Sequence, residues 1–542
     1  MEFTSLRHLL EFRTANTPQK DFLFSEADGR KWTYAEFDSA VNRTANMLLA
    51  RGIAKGDVVS LLLPNSAEYI IAYFACWKIG ALAGPVNSLL KAEEVEWVVA
   101  NSRSKMLMTD DAILSSGGLS GVGKGIEVIT NWPPADAGGS DTVAEINIDV
   151  DDEAVIIYTS GTTGKPKGCL LTHGNLIANA RQITEWLGFG PEDRLLTVMP
   201  LFHMNAVTVT TMTALYAGGS TVVSPKFSAS RFWEIIEEYR ITSFGSVATM
   251  LSMILAKADT ATRRRGDTEI SASPRHRVTP SQLRFAMCGS APVPAEVLNR
   301  FEETFGVLVI EGYGLSESTC RSTFNPPNKD RRPGSCGLPI GNEMRVVDEE
   351  DNEVPDGTLG EIVLRGPNIF KGYFKNPEAT EKAFAGGWFH TGDIGYRDAD
   401  GFYYIADRKS DMIIRGGENI YPREIDDLLY THPAVAHAAV IGVPDEIYGE
   451  EVAAFIVLKD GFESSPPYER GVAAALGGRG GSLITQEDII DFCKLHLADY
   501  KCPKTVHFVD DIPKGPTGKL LKRELARLFA STQTDRIEKA DS

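Results

Sequence analysis

Residues 158–168 read YTSGTTGKPKG, and any fold built from this chain must seat that string where backbone amides can turn toward an anion. The apolar run Ala154-Val155-Ile156-Ile157 before it reads as a strand, and residues 175–186 after it carry a helical pattern. Glycines free the backbone N–H groups, Ser and Thr add donors, and Lys165 and Lys167 add charge, a combination suited to a polyphosphate. It is not a Walker A loop: only Thr162 and Thr163 separate Gly161 from Gly164, and Pro166 stands where that motif needs Ser or Thr. The plain alternative is a solvated, flexible turn.

A chain of 542 residues that is 43% hydrophobic and 24% charged can bury a large core and divide into more than one domain. Its net charge of −18 argues against nucleic acid or an anionic membrane as the main partner. An anionic substrate must therefore meet a local positive pocket. The seven cysteines are odd in number, scattered and without a C-x-x-C pair, which reads as reduced thiols in a cytosolic protein without a zinc site. The first residues lack a charged region followed by an apolar one, and the run 69–86 is broken by Lys78, glycines and a proline. Neither a signal peptide nor a membrane span is expected.

Helix-like and strand-like signals alternate from residue 32 onward: helices over 34–51, 67–79 and 228–239, and strands over 58–63, 105–108, 126–129, 195–199 and 220–223. Such alternation predicts α/β layering with largely parallel sheets. Two polar stretches without period, 259–282 and 463–482, read as surface insertions. Between them a strand over 283–287 ends in Cys288-Gly289-Ser290-Ala291-Pro292, and residues 295–305 form an amphipathic helix. A strand over 307–310 then ends in Glu311-Gly312-Tyr313-Gly314-Leu315-Ser316-Glu317. Loops beyond the carboxyl ends of parallel strands are where α/β ligands sit, so both should face the crevice of the phosphate loop. Tyr313 offers a flat face to a base, and Glu317 a carboxylate able to hold Mg²⁺ beside phosphate oxygens; a core Tyr and a solvated Glu are the bland readings. Asp393, in a Gly-bounded loop, can accept both hydroxyls of a ribose. After the charged stretch 405–422 comes a compact C-terminal region with helices from Pro422 and over 487–497 and a strand pair near 436–441 and 452–458.

Together YTSGTTGKPKG, EGYGLSE, WFHTGD, DRKSDMIIRGGENIYP and PTGK, in that order over nearly the whole chain, resemble the adenylate-forming superfamily of acyl-CoA synthetases, amino-acid-activating domains and luciferase-like enzymes. Within it the chain is most similar to crotonobetaine/carnitine-type and related fatty- or aromatic-acid CoA ligases. The resemblance implies a large multi-sheet N-terminal domain of layered α/β subdomains, residues 1–409, and a small mobile α+β domain, 410–542. It implies an ATP-dependent carboxylate–CoA ligase that forms acyl-AMP and then acyl-CoA.

By motif, Thr159, Ser160, Gly161, Thr162, Thr163, Gly164 and Lys167 would grip the ATP phosphates, and Glu317 would hold Mg²⁺. Gly289, Ser290, Ala291, Glu311, Gly312, Tyr313, Gly314 and Ser316 would frame the adenine, and Asp393 and Arg408 would bind the ribose. Gly416, Gly417, Glu418 and Tyr448 would meet coenzyme A, with Tyr500, Lys501 and Lys504 near its phosphates. Lys519, Glu317, His203 and Lys167 are the residues expected in the chemistry, although a core-edge histidine remains the alternative for His203. Residues 201–206, LFHMNA, lack the carboxylate that pairs with an amino-acid substrate. The wall formed by 203–211 and 246–250 suggests a short to medium, cyclic or aromatic acid. Ser410 and Cys502 depart from the family pattern near the hinge and the CoA site. A homodimer is compatible with the resemblance. An enzyme passing its adenylate to a carrier-protein thiol or an amine is the alternative activity, and a non-catalytic binding module the third reading.

Overall fold

The computed structural model describes residues 2–116, 125–130, 141–159, 166–264, 282–289, 295–464, 482–514, 520–522 and 524–529, with the backbone alone for 259–264 and 482. The chain forms two compact units. The first takes in Met1–Arg345, Val363–Thr391 and Ala399–Tyr403, and the second Val346–Ile362, Gly392–Asp398 and Tyr404–Ser542. The chain passes between them five times, four of them within a strand, and not through one linker.

Two seven-stranded sheets build the first unit. One runs Leu308–Glu311, Phe285–Cys288, Ser243–Ser246, Arg194–Thr197, Ser220–Val223, Asp21–Ser25, Lys31–Thr33, all parallel until its last pair. Three of these strands, Ser220–Val223, Ser243–Ser246 and Phe285–Cys288, are buried at every position, which is why they show no polar–apolar alternation. The other runs Gly372–Tyr373, Lys167–Thr172, Glu153–Thr159, Leu82–Pro85, Val58–Leu62, Met106–Thr109, Glu127–Ile129. Its five-strand side is parallel, but Lys167–Thr172 lies antiparallel to both its neighbours. The phosphate-loop string therefore connects a hairpin and does not lead straight from a strand into a helix. The helix begins six residues beyond Lys167, at His173, where Thr172 and Asn175 form a capping box.

In the second unit the hairpin Val435–Asp445 and Gly449–Leu458 carries a five-stranded sheet. Its residues alternate between two cores. Ala438, Val440, Ala454 and Ile456 pack with Ile425, Leu429 and Ile489. Ala439, Ile441, Ala453 and Phe455 pack with Ile512 and Leu525. The two-fold periodicity of strands in a sheet covered on both faces produces this division.

Several local expectations shift. The helix expected over 228–239 starts only at Phe232, and the first expected insertion opens as helix as far as Arg264, where the helix Ala248–Arg264 runs into it. The second leaves from the strand Phe462–Ser464 and returns in Ser482–Ile484, which pair in parallel. Residues 205–212, assigned no structure from sequence, form a buried π-helix. Thr211 and Thr213 donate their hydroxyls to the carbonyls of Ala206 and Thr208, five residues back, at 3.0 and 2.9 Å. This is the i→i+5 spacing of that wider coil.

His173 couples this scaffold to pH. Its Nδ1 accepts the backbone N–H of Leu6 at 3.2 Å, which leaves the proton of the neutral ring on Nε2. Burial lowers its pKa to about 4 from an ordinary 6.5. Above the unfolded value both states are neutral. As pH falls from 6.5 toward 4 the unfolded chain takes up a proton that the folded chain refuses, so stability declines through that window and levels below it. Denaturant midpoints measured from pH 7 to 4 should record roughly 3 kcal/mol of loss from this residue. His173→Asn, which keeps an acceptor for Leu6, should flatten that part of the curve; an unchanged slope would remove His173 as its source.

Candidate active site

The phosphate-loop hairpin presents Thr159 and Lys167 as paired residues at the end that carries the loop. Ser160, Gly161, Thr162, Thr163 and Gly164 lie outside the described residues, as do Ser290, Ala291 and Lys519. The Lys167 ammonium sits 5.1 Å from the ring centre of Tyr373. That ring comes from the two-residue strand Gly372–Tyr373 added beside Lys167–Thr172. The Tyr373 hydroxyl donates to Glu317 Oε1 at 3.1 Å, and the Glu317 carbonyl accepts Phe370 N–H at 2.7 Å. Lys167 on one sheet is thereby tied, through one aromatic side chain, to the carboxylate in the loop that leaves the other.

Glu317 is buried, in the 3₁₀ turn Ser316–Ser318. Among the described residues no group of three or more His, Cys, Asp or Glu side chains could cage a metal. One hard carboxylate does fit Mg²⁺, which takes few protein ligands and fills its shell with phosphate oxygens and water.

Gly289 follows the end of Phe285–Cys288, and Glu311 closes the neighbouring strand. Gly312 N–H bonds Cys288 O at 2.9 Å, and the Tyr313 carbonyl accepts from Ser322 and Thr323 at 2.8 and 3.1 Å. The glycines here are required by close approach. A Cβ on Gly312 would lie 2.6 Å from the Phe324 ring, and one on Gly314 would overlap the Cys320 carbonyl. Glu311 receives the Gly334 N–H at 3.1 Å. His203 stands just before the π-helix, its ring 4.7 Å from that of Phe202. Burial lowers its pKa to about 4, so it is a neutral imidazole at ordinary pH.

In the second unit Asp393 and Arg408 meet each other: Arg408 Nε lies 2.8 Å from Asp393 Oδ1, the carboxylate being buried. The backbone around them is fixed by Lys409 N–H to Gly392 O at 2.9 Å and Gly392 N–H to Glu361 at 3.0 Å. Gly416 and Gly417, both at positive φ, make the two-residue turn between Ile413–Arg415 and Glu418–Ile420. Tyr448 packs on that turn, its carbonyl accepting Gly416 N–H at 2.9 Å and its ring lying 4.0 Å from the Arg415 guanidinium. Glu418 and Tyr448 are exposed. Lys501 pairs with Glu424 at 2.7 Å and Lys504 with Asp445 at 3.3 Å, so both lysines already have carboxylate partners. Sequence reasoning missed Tyr373: a strand of two residues carries no periodicity, and only its pairing partner reveals it.

The chain matches the model of the AMP-binding enzyme family over residues 10–374 and that of the AMP-binding enzyme C-terminal domain over 424–519. It is 34% identical to a sulfoacetate–CoA ligase of Cupriavidus necator, over 96% of this chain and 97% of that one. It is also 34% identical to the long-chain-fatty-acid–CoA ligase FadD13 of Mycobacterium tuberculosis, over 97% and 98%. The crystal structure of ATP-bound MatB from Rhodopseudomonas palustris superposes with a TM-score of 0.83 at 31% identity, covering 96% of this chain and 99% of that one.

The protein belongs to the AMP-binding, adenylate-forming enzymes. Within them it is an acid–thiol ligase, an AMP-forming acyl-CoA synthetase that uses ATP.

If Tyr373 joins Lys167 to Glu317, Tyr373→Phe should raise the KM for ATP about 10-fold, the usual loss for a hydrogen bond to a charged group. Tyr373→Leu, which also removes the ring beneath the ammonium, should cost a further ~3-fold. Pyrophosphate exchange measures both, and wild-type values in both variants would contradict the linkage.

Proposed function

We propose that Lys167, the loop 159–164 and Glu317 hold the triphosphate of ATP, with Mg²⁺ on Glu317, while Gly289, Ser290, Ala291 and 311–316 frame the base and Asp393 and Arg408 take the ribose. What supports this reading above all is the chain Lys167–Tyr373–Glu317, which keeps a cation and a metal-binding carboxylate at a fixed spacing beside the phosphate loop. A carboxylate is a weak nucleophile toward an anionic phosphate. Attack by one of its oxygens on the α-phosphorus, with pyrophosphate leaving, therefore needs positive charge placed in advance. Bound Mg²⁺ would neutralise phosphate charge. Lys167 contributes at the loop, and Lys519 is assigned to the reacting carboxylate and the developing acyl phosphate.

In the second half-reaction the CoA sulfur attacks the acyl carbon and AMP leaves. Gly416, Gly417, Glu418 and Tyr448 are assigned to CoA, with residues 410–542 acting as the lid that exchanges one pose for another against residues 1–409. Neutral His203 suits a wall beside an acyl group whose own charge is lost when the adenylate forms. The acid is short to medium in length and the enzyme cytoplasmic; a homodimer is the assembly to test first. No helix among the described residues is long and apolar enough to cross a membrane.

Lys519→Ala should abolish formation of acyl-AMP from acid and ATP while sparing thioester formation from supplied acyl-AMP. Undiminished adenylation by this variant would refute the assignment. Adding CoA and looking for thioester separates the ligase from an enzyme that serves a carrier thiol or an amine.

A further inference from the structure

Among the described residues, the other buried cation and a half-buried one are neutralised. Lys78 meets Asp38 and Glu11 at 2.8 and 3.0 Å, and Lys522 meets Asp426 at 2.6 Å. Arg321 departs from that rule. It is 1% exposed and among the largest fully buried side chains of the molecule. No carboxylate among the described residues lies within ion-pairing distance of its guanidinium. Nη1 donates to the Cys320 carbonyl at 3.3 Å, the group lies 5.5 Å from the Phe324 ring centre, and Nε is buried with no hydrogen-bond partner among the described residues. The backbone of this residue is held firmly. Asn179 accepts its N–H at 3.1 Å and donates to its carbonyl at 2.6 Å, and Asn368 donates to the same carbonyl at 3.2 Å. The side chain is thus placed, not loose. A buried charge without a counter-ion costs several kcal/mol, and none of the described residues supplies one.

Its location says which anion. Nη2 would lie 2.5 Å from a Cβ on Gly289, at the carboxyl end of Phe285–Cys288. The next strand, Ser243–Ser246, carries Gly245, whose Cβ position is 3.1 Å from Asn205 Oδ1 on the π-helix. The guanidinium therefore stands at the strand ends where such sheets receive ligands, beside a wall that is polar as well as apolar. In that wall Thr208 Oγ1 is buried without a partner among the described residues, and so is Ser322 Oγ next to Arg321.

We infer that Arg321 binds a second anionic group, a carboxylate or a sulfonate, at the far end of a short acyl substrate. This rests on the ligase reading above. The reacting carboxylate is a poor candidate for Arg321, because its charge disappears when the adenylate and the thioester form. A second anion keeps its charge through both half-reactions and compensates the guanidinium throughout.

The test compares matched acids with the full-length enzyme, following AMP release in the presence of ATP and CoA: malonate against propionate, succinate against butyrate, and sulfoacetate against propionate. Malonate and sulfoacetate distinguish the carboxylate from the sulfonate. Wild type should favour the doubly charged member of at least one pair by about 100-fold or more in kcat/KM, the scale set by an unpaired buried charge. Arg321→Met should collapse that ratio, and Arg321→Lys should restore part of it, with the KM for ATP changed little. Equal or better use of the singly charged acids by wild type would overturn the inference, and that result does not depend on whether the variants fold. An equal loss on both members of a pair in Arg321→Met would also overturn it. Thioester formation with singly charged acids alone would leave the ligase reading intact; no thioester from any acid would bring down that reading as well.

Discussion

The two large sheets meet chemically at Tyr373. Its backbone extends the edge of one sheet beside Lys167–Thr172, its ring lies under the Lys167 ammonium, and its hydroxyl reaches the carboxylate of Glu317 in the loop that leaves the other. Without that junction a cation and a carboxylate on separate sheets would each choose their own rotamer. With it, their spacing is set by the fold itself, and preorganised charge is what the proposed phosphoryl chemistry depends on most. The close passage of Gly312 and Gly314 under Phe324 and Cys320 serves the same end from the other side, since bulkier residues would push the loop away from its neighbours.

The protein places its charges locally and against its overall sign. The chain carries −18, yet the groups proposed to meet anions are individual cations: Lys167 beside a ring, and Arg321 with no carboxylate among the described residues. A field of general positive charge would attract polyanions indiscriminately. Single cations in fixed surroundings select by position instead.

How much of this could be read from residues alone follows physical lines. The helix 295–305 and the strand 220–223 were legible to the residue, because amphipathic spacing, a closing glycine and runs of buried β-branched side chains are local signals. The motif string around Glu317 was legible through its glycines. The hairpin at Lys167–Thr172 was not, since Gly168 and Cys169 weaken a strand pattern that only pairing with Glu153–Thr159 stabilises. Arg321 was passed over for a related reason. An arginine in a polar string looks solvated until the burial of its whole side chain is known. The π-helix was equally hidden, because its hydroxyl-to-carbonyl bonds five residues back compete with the ordinary helical pattern and leave no mark on periodicity.

That widened coil has an evolutionary corollary. A π-turn is an α-turn with one residue added, so removing a single codon from the segment Asn205–Met212 would rewind it and rotate each following side chain by about 100° about the axis. The wall proposed for the acyl group can accordingly be refaced by a change in length alone, with no substitution. Descendants of such an ancestor would differ in diet while sharing the same engine.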